Sequence, residues 1–244
     1  MRSDKAIMKK GKPILLIAIA VIVLMGALLV SCGKKPAQES TGDEIAQLPK
    51  EATVTDEETL RQLLLAEGEM TICVAEDMEV DQQFIVKGTK TLTGDAVIRM
   101  ALSAEWYQSL LLVSEGATLR MDGLVLDGNY LADGIHMEEN AKLDYLSGKI
   151  WRTDVYGIQA LGNVTIQDVS IEKAEYIGIY AKKGSKVTIE GGNFTDTATH
   201  DIYVDSDATV DIVGNAQFKG CMGDSVINYG TRNVINGTCS GATS

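Results

Sequence analysis

Three scarcities limit what this chain of 244 residues can do. It has two histidines, and basic residues are outnumbered, 22 against 34 acidic ones. His136 and His200 lie far apart in the chain and no His/Cys spacing typical of zinc occurs, so we predict no zinc site. The net charge of −12 argues against nucleic-acid binding, because contacts with phosphates need an excess of Lys and Arg.

Cysteine is too scarce for a disulfide framework. Setting Cys32 aside leaves Cys73, Cys221 and Cys239, an odd number. Cys73 lies in a strand-like segment and is expected to be a small packed residue. Cys221 and Cys239 can pair only if the last part of the fold brings them together, and the sequence leaves this open.

The N-terminal segment has the pattern of an export signal. Residues 1–13 carry five basic residues and one acidic residue, and residues 14–30 carry no charge. An uncleaved membrane anchor is the alternative for such an apolar stretch. Leu29-Val30-Ser31-Cys32 resembles the bacterial lipobox. That resemblance implies a signal peptide over residues 1–31, lipid on Cys32, and an extracytoplasmic protein held to the membrane by that lipid. The envelope type stays open.

The composition changes twice after the signal. Residues 32–50 are polar with few large apolar side chains, which predicts a flexible tether, and residues 51–244 form the predicted folded domain. Removing residues 1–31 leaves 17 basic and 33 acidic residues, a net charge of −16. Anionic lipid would repel so acidic a domain, so we expect the lipid to hold it to the membrane.

A near-repeat runs through the second half of the chain. Ile135, Ile158, Ile179, Ile202 and Val226 are separated by 23, 21, 23 and 24 residues. Further apolar positions recur in each unit; they are Leu143/Tyr145, Val164/Ile166, Val187/Ile189 and Val210/Ile212, then Ile150, Ile171, Phe194 and Phe218. Such a period predicts a solenoid whose units bury their apolar faces by stacking.

Each unit is predicted to contain strands. Val164-Thr165-Ile166 and Val187-Thr188-Ile189 alternate apolar and polar residues, and three short strands separated by turn residues fill one unit. The leucine-rich repeat is the competing fold, but its signature is absent. The repeated elements resemble the right-handed parallel β-helix families, the pectin-lyase-like group, over Glu51 to about Gly237. The resemblance implies an all-β, right-handed parallel β-helix, and carries no function with it.

A short helix is predicted at the start of the domain. Thr55-Asp56-Glu57-Glu58 matches a capping box with Thr55 as N-cap, and the apolar residues that follow lie on one helical face as far as about Glu67. We expect this helix to cover the open end of the solenoid. The helix and the strand after it resemble the start of the pectate-lyase-like adhesive modules of bacterial surface proteins.

The alignment of the units shows no set of catalytic side chains stacked on successive coils. A glycoside hydrolase needs paired carboxylates, and a lyase of this fold needs carboxylates near a base. Neither arrangement occurs at the two sets of outward positions. These sets are Arg120, Asp144, Thr165, Thr188 and Asp211, and Asp127, Trp151, Glu172, Thr195 and Lys219. Arg120 and Asp144 are expected to form a surface ion pair. The motifs of pectin hydrolases and lyases are missing, so no catalytic residue is assigned.

Two clusters suggest binding. The acidic residues Asp196, Asp201, Asp205, Asp207 and Asp211 suit Ca²⁺, although Asp also stabilises turns, and the turn interpretation is favoured. Aromatic residues also recur along one side of the predicted solenoid. Tyr180 and Tyr203 directly follow the leading Ile of their units, as His136 does, and Tyr156 and Tyr176 lie in the turns before it. Flat rings of this kind suit a glycan, and they also stabilise stacked strands without any ligand.

Three functions remain. The first is a lipid-anchored, non-catalytic surface module for adhesion or glycan binding, which the resemblance and the missing acid/base column favour. The alternative is a polysaccharide lyase or glycoside hydrolase acting on an extracellular glycan. The third is a passive structural spacer.

Overall fold

The structure of this protein is a computed structural model, and it describes residues 50–104, 109–219, 221–222 and 225–234. The predicted signal peptide, Cys32, nearly all of the tether and Cys239 lie outside these residues, so the predictions on lipidation and on a Cys221–Cys239 pair stay predictions. Of the helices within the described ranges, none has the length and apolarity needed to cross a membrane.

The described residues form twenty strands and one helix. The helix α1 is Glu57–Leu65. The strands β1 to β20, in chain order, are Glu51–Val54, Glu69–Val74, Met78–Val80, Phe84–Val86, Thr89–Thr93, Val97–Met100, Ser109–Val113, Thr118–Asp127, Asp133–Met137, Lys142–Trp151, Tyr156–Ala160, Asn163–Glu172, Ile177–Ala181, Lys186–Ile189, Asn193–Thr195, His200–Val204, Thr209–Ile212, Gln217–Lys219, Val226–Asn228 and Thr231–Val234.

The strands build a parallel β-solenoid of about seven turns, which confirms the predicted β-helix. The larger sheet, sheet A, has 13 strands and follows the order β1-β2-β5-β8-β10-β12-β14-β17-β20, with β3, β6, β15 and β18 beside this path. The smaller sheet, sheet B, has seven strands in the order β4-β7-β9-β11-β13-β16-β19. Because neighbours in each sheet come from successive coils, every rung repeats the sequence positions of the rung before it.

The register confirms the repeat. In sheet B, Ile135, Ile158, Ile179, Ile202 and Val226 are successive partners. The apolar positions of sheet A align in the same way, from Leu143 through Val164 and Val187 to Val210. These side chains are buried and form one continuous core along the solenoid. Burial of apolar surface between coils is therefore what fixes the period.

Two of the three strands predicted for each coil merge in the middle of the molecule. Strands β8, β10 and β12 each run for ten residues around a bend in sheet A. Gly123 and Gly148 lie at this bend with φ of +88° and +130°, backbone angles that residues other than glycine rarely adopt. A Cβ at Gly148 would also overlap the carbonyl oxygen of Leu124 on the coil below. Glycine therefore lets the backbone turn the corner without ending the strand.

Tyr145 and Lys90 place polar groups inside the core. The Tyr145 hydroxyl is fully buried and donates to the carbonyl of Leu124 at 2.7 Å. Lys90 occupies an inward position between Met70 and Leu119 of the neighbouring rungs. Its ammonium group donates to three carbonyl oxygens, those of Ala66, Gly68 and Lys87, at 2.7–3.0 Å. Burial lowers the pKa of Lys90, and the three hydrogen bonds compensate the charged form.

The predicted capping helix is present, but its N-cap is Asp56 and the prediction of Thr55 was wrong. The Asp56 carboxylate accepts from the Thr59 N–H at 2.8 Å and from the Thr59 hydroxyl at 2.9 Å. Aspartate at this position also favours the helix dipole. Helix α1 ends at Leu65, two residues before the predicted end, and buries Leu60, Leu63 and Leu64 at the first coils.

Candidate functional site

A row of four tyrosine rings follows the axis of the solenoid along sheet B. Tyr156 and Tyr180 have ring centroids 5.3 Å apart, Tyr180 and Tyr203 are 5.2 Å apart, and Tyr203 and Tyr229 are 5.7 Å apart. These separations are close to the spacing of about 4.8 Å between neighbouring strands. We call Tyr156, Tyr180, Tyr203 and Tyr229 the tyrosine ladder.

The strand register explains why Tyr180 and Tyr203 lie side by side. Tyr180 and Tyr203 are direct partners in strands β13 and β16, and they point away from the apolar positions that line the core. Tyr156 opens strand β11 rather than lying in the turn before it. Three of the four predicted tyrosines are in ring contact. Strand pairing aligns Tyr180 with Tyr203, whereas Tyr156 reaches Tyr180 from a position whose register partner is Ile177.

The remaining predicted members lie beside the ladder. His136 belongs to the same column, separated from Tyr180 by Gln159. Tyr176 is 49% exposed and precedes strand β13. Tyr229, which extends the ladder at its C-terminal end and is 67% exposed, was missed by the sequence analysis. The column position on its coil is Ile227, and Tyr229 reaches the row from two residues further along the chain.

Tyr156, Tyr180 and Tyr203 are uncharged at neutral pH. Partial burial, together with the carboxylate of Asp205 and the neighbouring rings, raises the pKa of Tyr180. Burial also raises the pKa of Tyr156 and Tyr203. Burial and the nearby ammonium group of Lys182 lower the pKa of His136, which favours its neutral form. The column therefore presents neutral rings with hydroxyl groups, a surface suited to stacking and hydrogen bonding.

A groove of about 570 Å³ borders the ladder at Tyr180. Its lining residues are Glu139, Asn140, Leu161, Tyr180, Lys182, Lys183, Gly184 and Asp205. The Lys182 ammonium lies 5.6 Å from the centroid of the Tyr180 ring. The Tyr180 hydroxyl is 3.5 Å from a carboxylate oxygen of Asp205. The groove therefore combines one aromatic ring for stacking with several charged and amide groups that can form hydrogen bonds to a ligand.

A second cluster of rings and charges lies at the far end of the sheet A strands; we call it the corner cluster, and its members are Arg99, Asp127, Lys149, Trp151, Arg152 and Lys173. The Asp127 carboxylate is fully buried. It accepts from Arg99 Nε at 2.8 Å, from Arg152 Nε at 3.0 Å and from the Asn129 N–H at 3.0 Å. Burial alone would raise the pKa of Asp127, but these hydrogen bonds hold it below its usual value.

Trp151 is covered by cations in the corner cluster. The Arg152 guanidinium lies 4.3 Å from the ring centroid, and the ammonium groups of Lys149 and Lys173 lie at 5.2 and 5.8 Å. Lys149 also pairs with Glu172 at 2.6 Å. Since Asp127 is ionised and held by two arginines, this cluster lacks the protonated carboxyl that acid catalysis requires.

Arg120 and Asp144, on the outward face of sheet A, do not form the ion pair predicted for them. Arg120 and Asp144 are register partners as predicted, but among the described residues they form no ion pair within 4.0 Å. Sheet A therefore places opposite charges on neighbouring rungs without joining them.

The acidic residues near the C-terminal end divide into different roles. Asp196 and Asp207 adopt positive φ in turns, as the turn interpretation expects. Asp205 accepts from the Ser206 N–H, and Asp211 pairs with Lys186 at 3.6 Å. Asp201 is fully buried in strand β16. The described ranges contain no group of three or more His, Cys, Asp or Glu side chains placed to hold a metal ion.

Two carboxyl groups of the sheet B strands have raised pKa values. Burial raises the pKa of Asp133 to about 6, although its carboxylate accepts from the N–H groups of Val155 and Tyr156. Burial likewise raises the pKa of Asp201 to about 6, and the Thr197 hydroxyl donates to it at 2.6 Å. Both groups bond to the chain itself, and neither belongs to the tyrosine ladder.

Comparisons with family models, with curated proteins and with solved structures found no match to this chain. The assignment of function therefore depends on the geometry of the tyrosine ladder and the groove beside it.

Proposed function

We propose that this protein is a non-catalytic glycan-binding module, and that the tyrosine ladder is its binding platform. The observation that carries the proposal is the row of four rings at 5.2–5.7 Å, bordered by a polar groove. Sugar rings have apolar faces that stack on aromatic side chains, and their hydroxyl groups bond to flanking polar groups. A polymer lying along the solenoid axis would meet one tyrosine for each coil.

The lipobox resemblance at Cys32 supports a surface-displayed form of this module. A lipid on Cys32 and the polar segment of residues 32–50 would hold the β-helix on the outer face of a membrane. An extracytoplasmic protein placed in this way meets the polymers of its own envelope or of other cells, which makes adhesion the biological role that we propose.

A glycan array probed with the full-length protein, with and without Ca²⁺, tests the proposal. We expect binding without product formation. The Tyr180→Ala/Tyr203→Ala variant removes the two central rings, each worth about 0.5–1.5 kcal/mol, so affinity should fall about ten-fold or more. Tyr130→Ala is the matched control, because Tyr130 is also partly exposed but lies beside Arg152 in another region.

Either of two results would contradict the proposal. Loss of binding in the Tyr130→Ala control would show that the platform lies elsewhere. Release of soluble oligosaccharides from a bound polymer would favour the lyase or hydrolase alternative.

A further inference from the structure

The groove beside the ladder lies over a short turn of the solenoid, between two longer turns on the neighbouring coils. In four coils the aligned positions of sheets B and A are eight residues apart, as in Ile135 to Leu143. They are six residues apart from Ile158 to Val164, and also at the two ends of the described solenoid, from 84 to 90 and from 226 to 232. The usual turns span four residues and are closed by a hydrogen bond from the fourth N–H to the first carbonyl; they are Ser114–Ala117, Glu138–Ala141, Lys182–Ser185 and Asp205–Ala208. Their third residues all have positive φ.

The short turn consists of Leu161 and Gly162 alone. Gly162 lies against the coil below, where a Cβ would overlap the carbonyl oxygen of Ala141. The turns on either side project past it, with Glu139 and Asn140 on one wall and Lys182 and Gly184 on the other. We call this recess over Leu161 and Gly162 the notch. It is the part of the groove that lies between two full-length turns.

The notch offers polar groups without a hydrogen-bond or ion-pair partner in the described chain, although the Lys182 ammonium does lie 5.6 Å from the Tyr180 ring centroid. Glu139, Asn140 and Lys182 make no side-chain hydrogen bond or ion pair with other described residues. By contrast, Lys183 on the rim is paired with Asp207 at 3.5 Å. Unpaired groups of both charges on facing walls suit a ligand that is rich in hydroxyl groups, because a hydroxyl donates to the carboxylate and accepts from the ammonium. A charged ligand group would meet a like charge on one wall.

The position of the notch determines how a ligand would enter it. Lys182 follows Tyr180 by two residues in the strand direction, so the notch is displaced about 7 Å sideways from the ladder. Tyr156 and Tyr180 belong to the two coils that meet at the notch, and the row continues beyond them to Tyr203 and Tyr229. A polymer on the ladder therefore passes the mouth of the notch, and only a group that leaves the main chain sideways can fill it.

We propose that the notch binds a monosaccharide side branch of the glycan whose main chain lies on the tyrosine ladder. This inference rests on the proposed function and makes it more specific, because the ligand becomes a branched, uncharged polysaccharide. Leu161 at the base of the notch contacts the apolar face of the branch sugar. The side chains of Glu139, Asn140 and Lys182 bond to its hydroxyl groups.

Matched linear and branched oligosaccharides test this inference by calorimetry with the full-length protein. The probes are mannohexaose and cellohexaose, and the same main chains with one α-1,6-galactosyl or one α-1,6-xylosyl branch. Two or three hydrogen bonds to the branch predict an about ten-fold tighter binding of the branched member of one pair. Inserting Glu-Asn between Leu161 and Gly162 restores a four-residue turn, and it should abolish this preference while linear binding stays within about two-fold.

Two controls separate the notch from general effects. The same insertion between Gly214 and Asn215, in a turn between β17 and β18, should leave the preference intact. If the first insertion variant does not fold, Lys182→Gln replaces it and should reduce the preference several-fold, whereas Lys183→Gln should not.

The outcomes are distinct. Equal binding of the linear and branched members overturns the inference and leaves the proposed function standing, as does a preference that survives both the insertion and Lys182→Gln. Failure of all four probes to bind overturns the proposed function and the inference together.

Discussion

The groove beside the tyrosine ladder and the corner cluster both combine an aromatic ring with charged side chains, but the contacts among these side chains differ. In the corner cluster the charges and the ring satisfy one another: Asp127 holds two guanidinium groups and Trp151 is covered by three cations. Beside the ladder, Glu139 and Asn140 make no side-chain hydrogen bond or ion pair with other described residues. The Lys182 ammonium, which lies 5.6 Å from the Tyr180 ring centroid, has no ion-pair partner there either. Groups that satisfy one another stabilise the fold, whereas groups left open are available to a ligand.

The largest effect expected from this contrast is on stability at the corner cluster. Asp127→Ala leaves the guanidinium groups of Arg99 and Arg152 without their buried carboxylate. Removing one partner of a buried pair costs about 3–5 kcal/mol, and because both arginines are partly exposed we expect the lower value, about 3 kcal/mol. We therefore expect the free energy of unfolding in urea to fall by about this amount, with glycan affinity unchanged in the folded protein.

Asp144→Ala is the matched control for Asp127→Ala. Asp144 lies on the neighbouring strand β10 and forms no ion pair with its register partner Arg120. Its removal should change stability by no more than about 0.5 kcal/mol. Equal losses in the two variants would contradict the distinction between a satisfied cluster and an open surface.

Acid pH is expected to act in opposite directions on the two regions. Asp201, buried in strand β16 of sheet B, has a folded-state pKa raised to about 6 from 3.8. The folded protein therefore binds more protons between about pH 4 and 6, and stability falls as pH rises through that window. A shift of this size corresponds to about 3 kcal/mol above pH 6. The lowered pKa of Asp127 has the opposite sign, so its contribution is present above pH 4 and is lost below it.

Urea unfolding at intervals between pH 4 and 7 measures this effect. Asp201→Asn should remove about half of the downward slope, and the raised pKa of Asp133 accounts for the remainder. Asp207→Asn, which changes an exposed carboxylate, should leave the slope as it is. A profile that Asp201→Asn does not alter would show that this carboxyl is ionised in the folded protein at pH 4.

The comparison also explains what could be predicted from the sequence. Ile135, Ile158 and Ile179 could be aligned because a solenoid core demands the same kind of side chain at the same place in every coil. The same alignment placed Tyr180 and Tyr203 together, since outward positions inherit the register of inward ones. The fold and the alignment of Tyr180 with Tyr203 thus both follow from the repeat of the same positions in every coil.

The features that were missed break this regularity. Asp127 holds an outward position in the repeat, and its burial depends on arginines from two other coils. Lys90 occupies a core position, and two of its three carbonyl partners, Ala66 and Gly68, come from the segment after the helix, which no repeat contains. The notch did have a signal, because the spacing of 21 residues between Ile158 and Ile179 shows where residues are missing. That spacing alone does not reveal a recess, because the recess also depends on the longer turns of the two neighbouring coils.

The smallest predicted effect concerns Trp151. Trp151→Leu keeps an apolar side chain but removes the π surface that faces Arg152, Lys149 and Lys173, and partly exposed cation–π contacts are worth about 0.5–1 kcal/mol. We expect the free energy of unfolding to fall by about 1 kcal/mol, less than the sum of three contacts because the cations compete for one ring. Since these cations already cover Trp151, glycan affinity should be unchanged. A loss of affinity comparable to that of Tyr180→Ala/Tyr203→Ala would move the binding platform to the corner cluster.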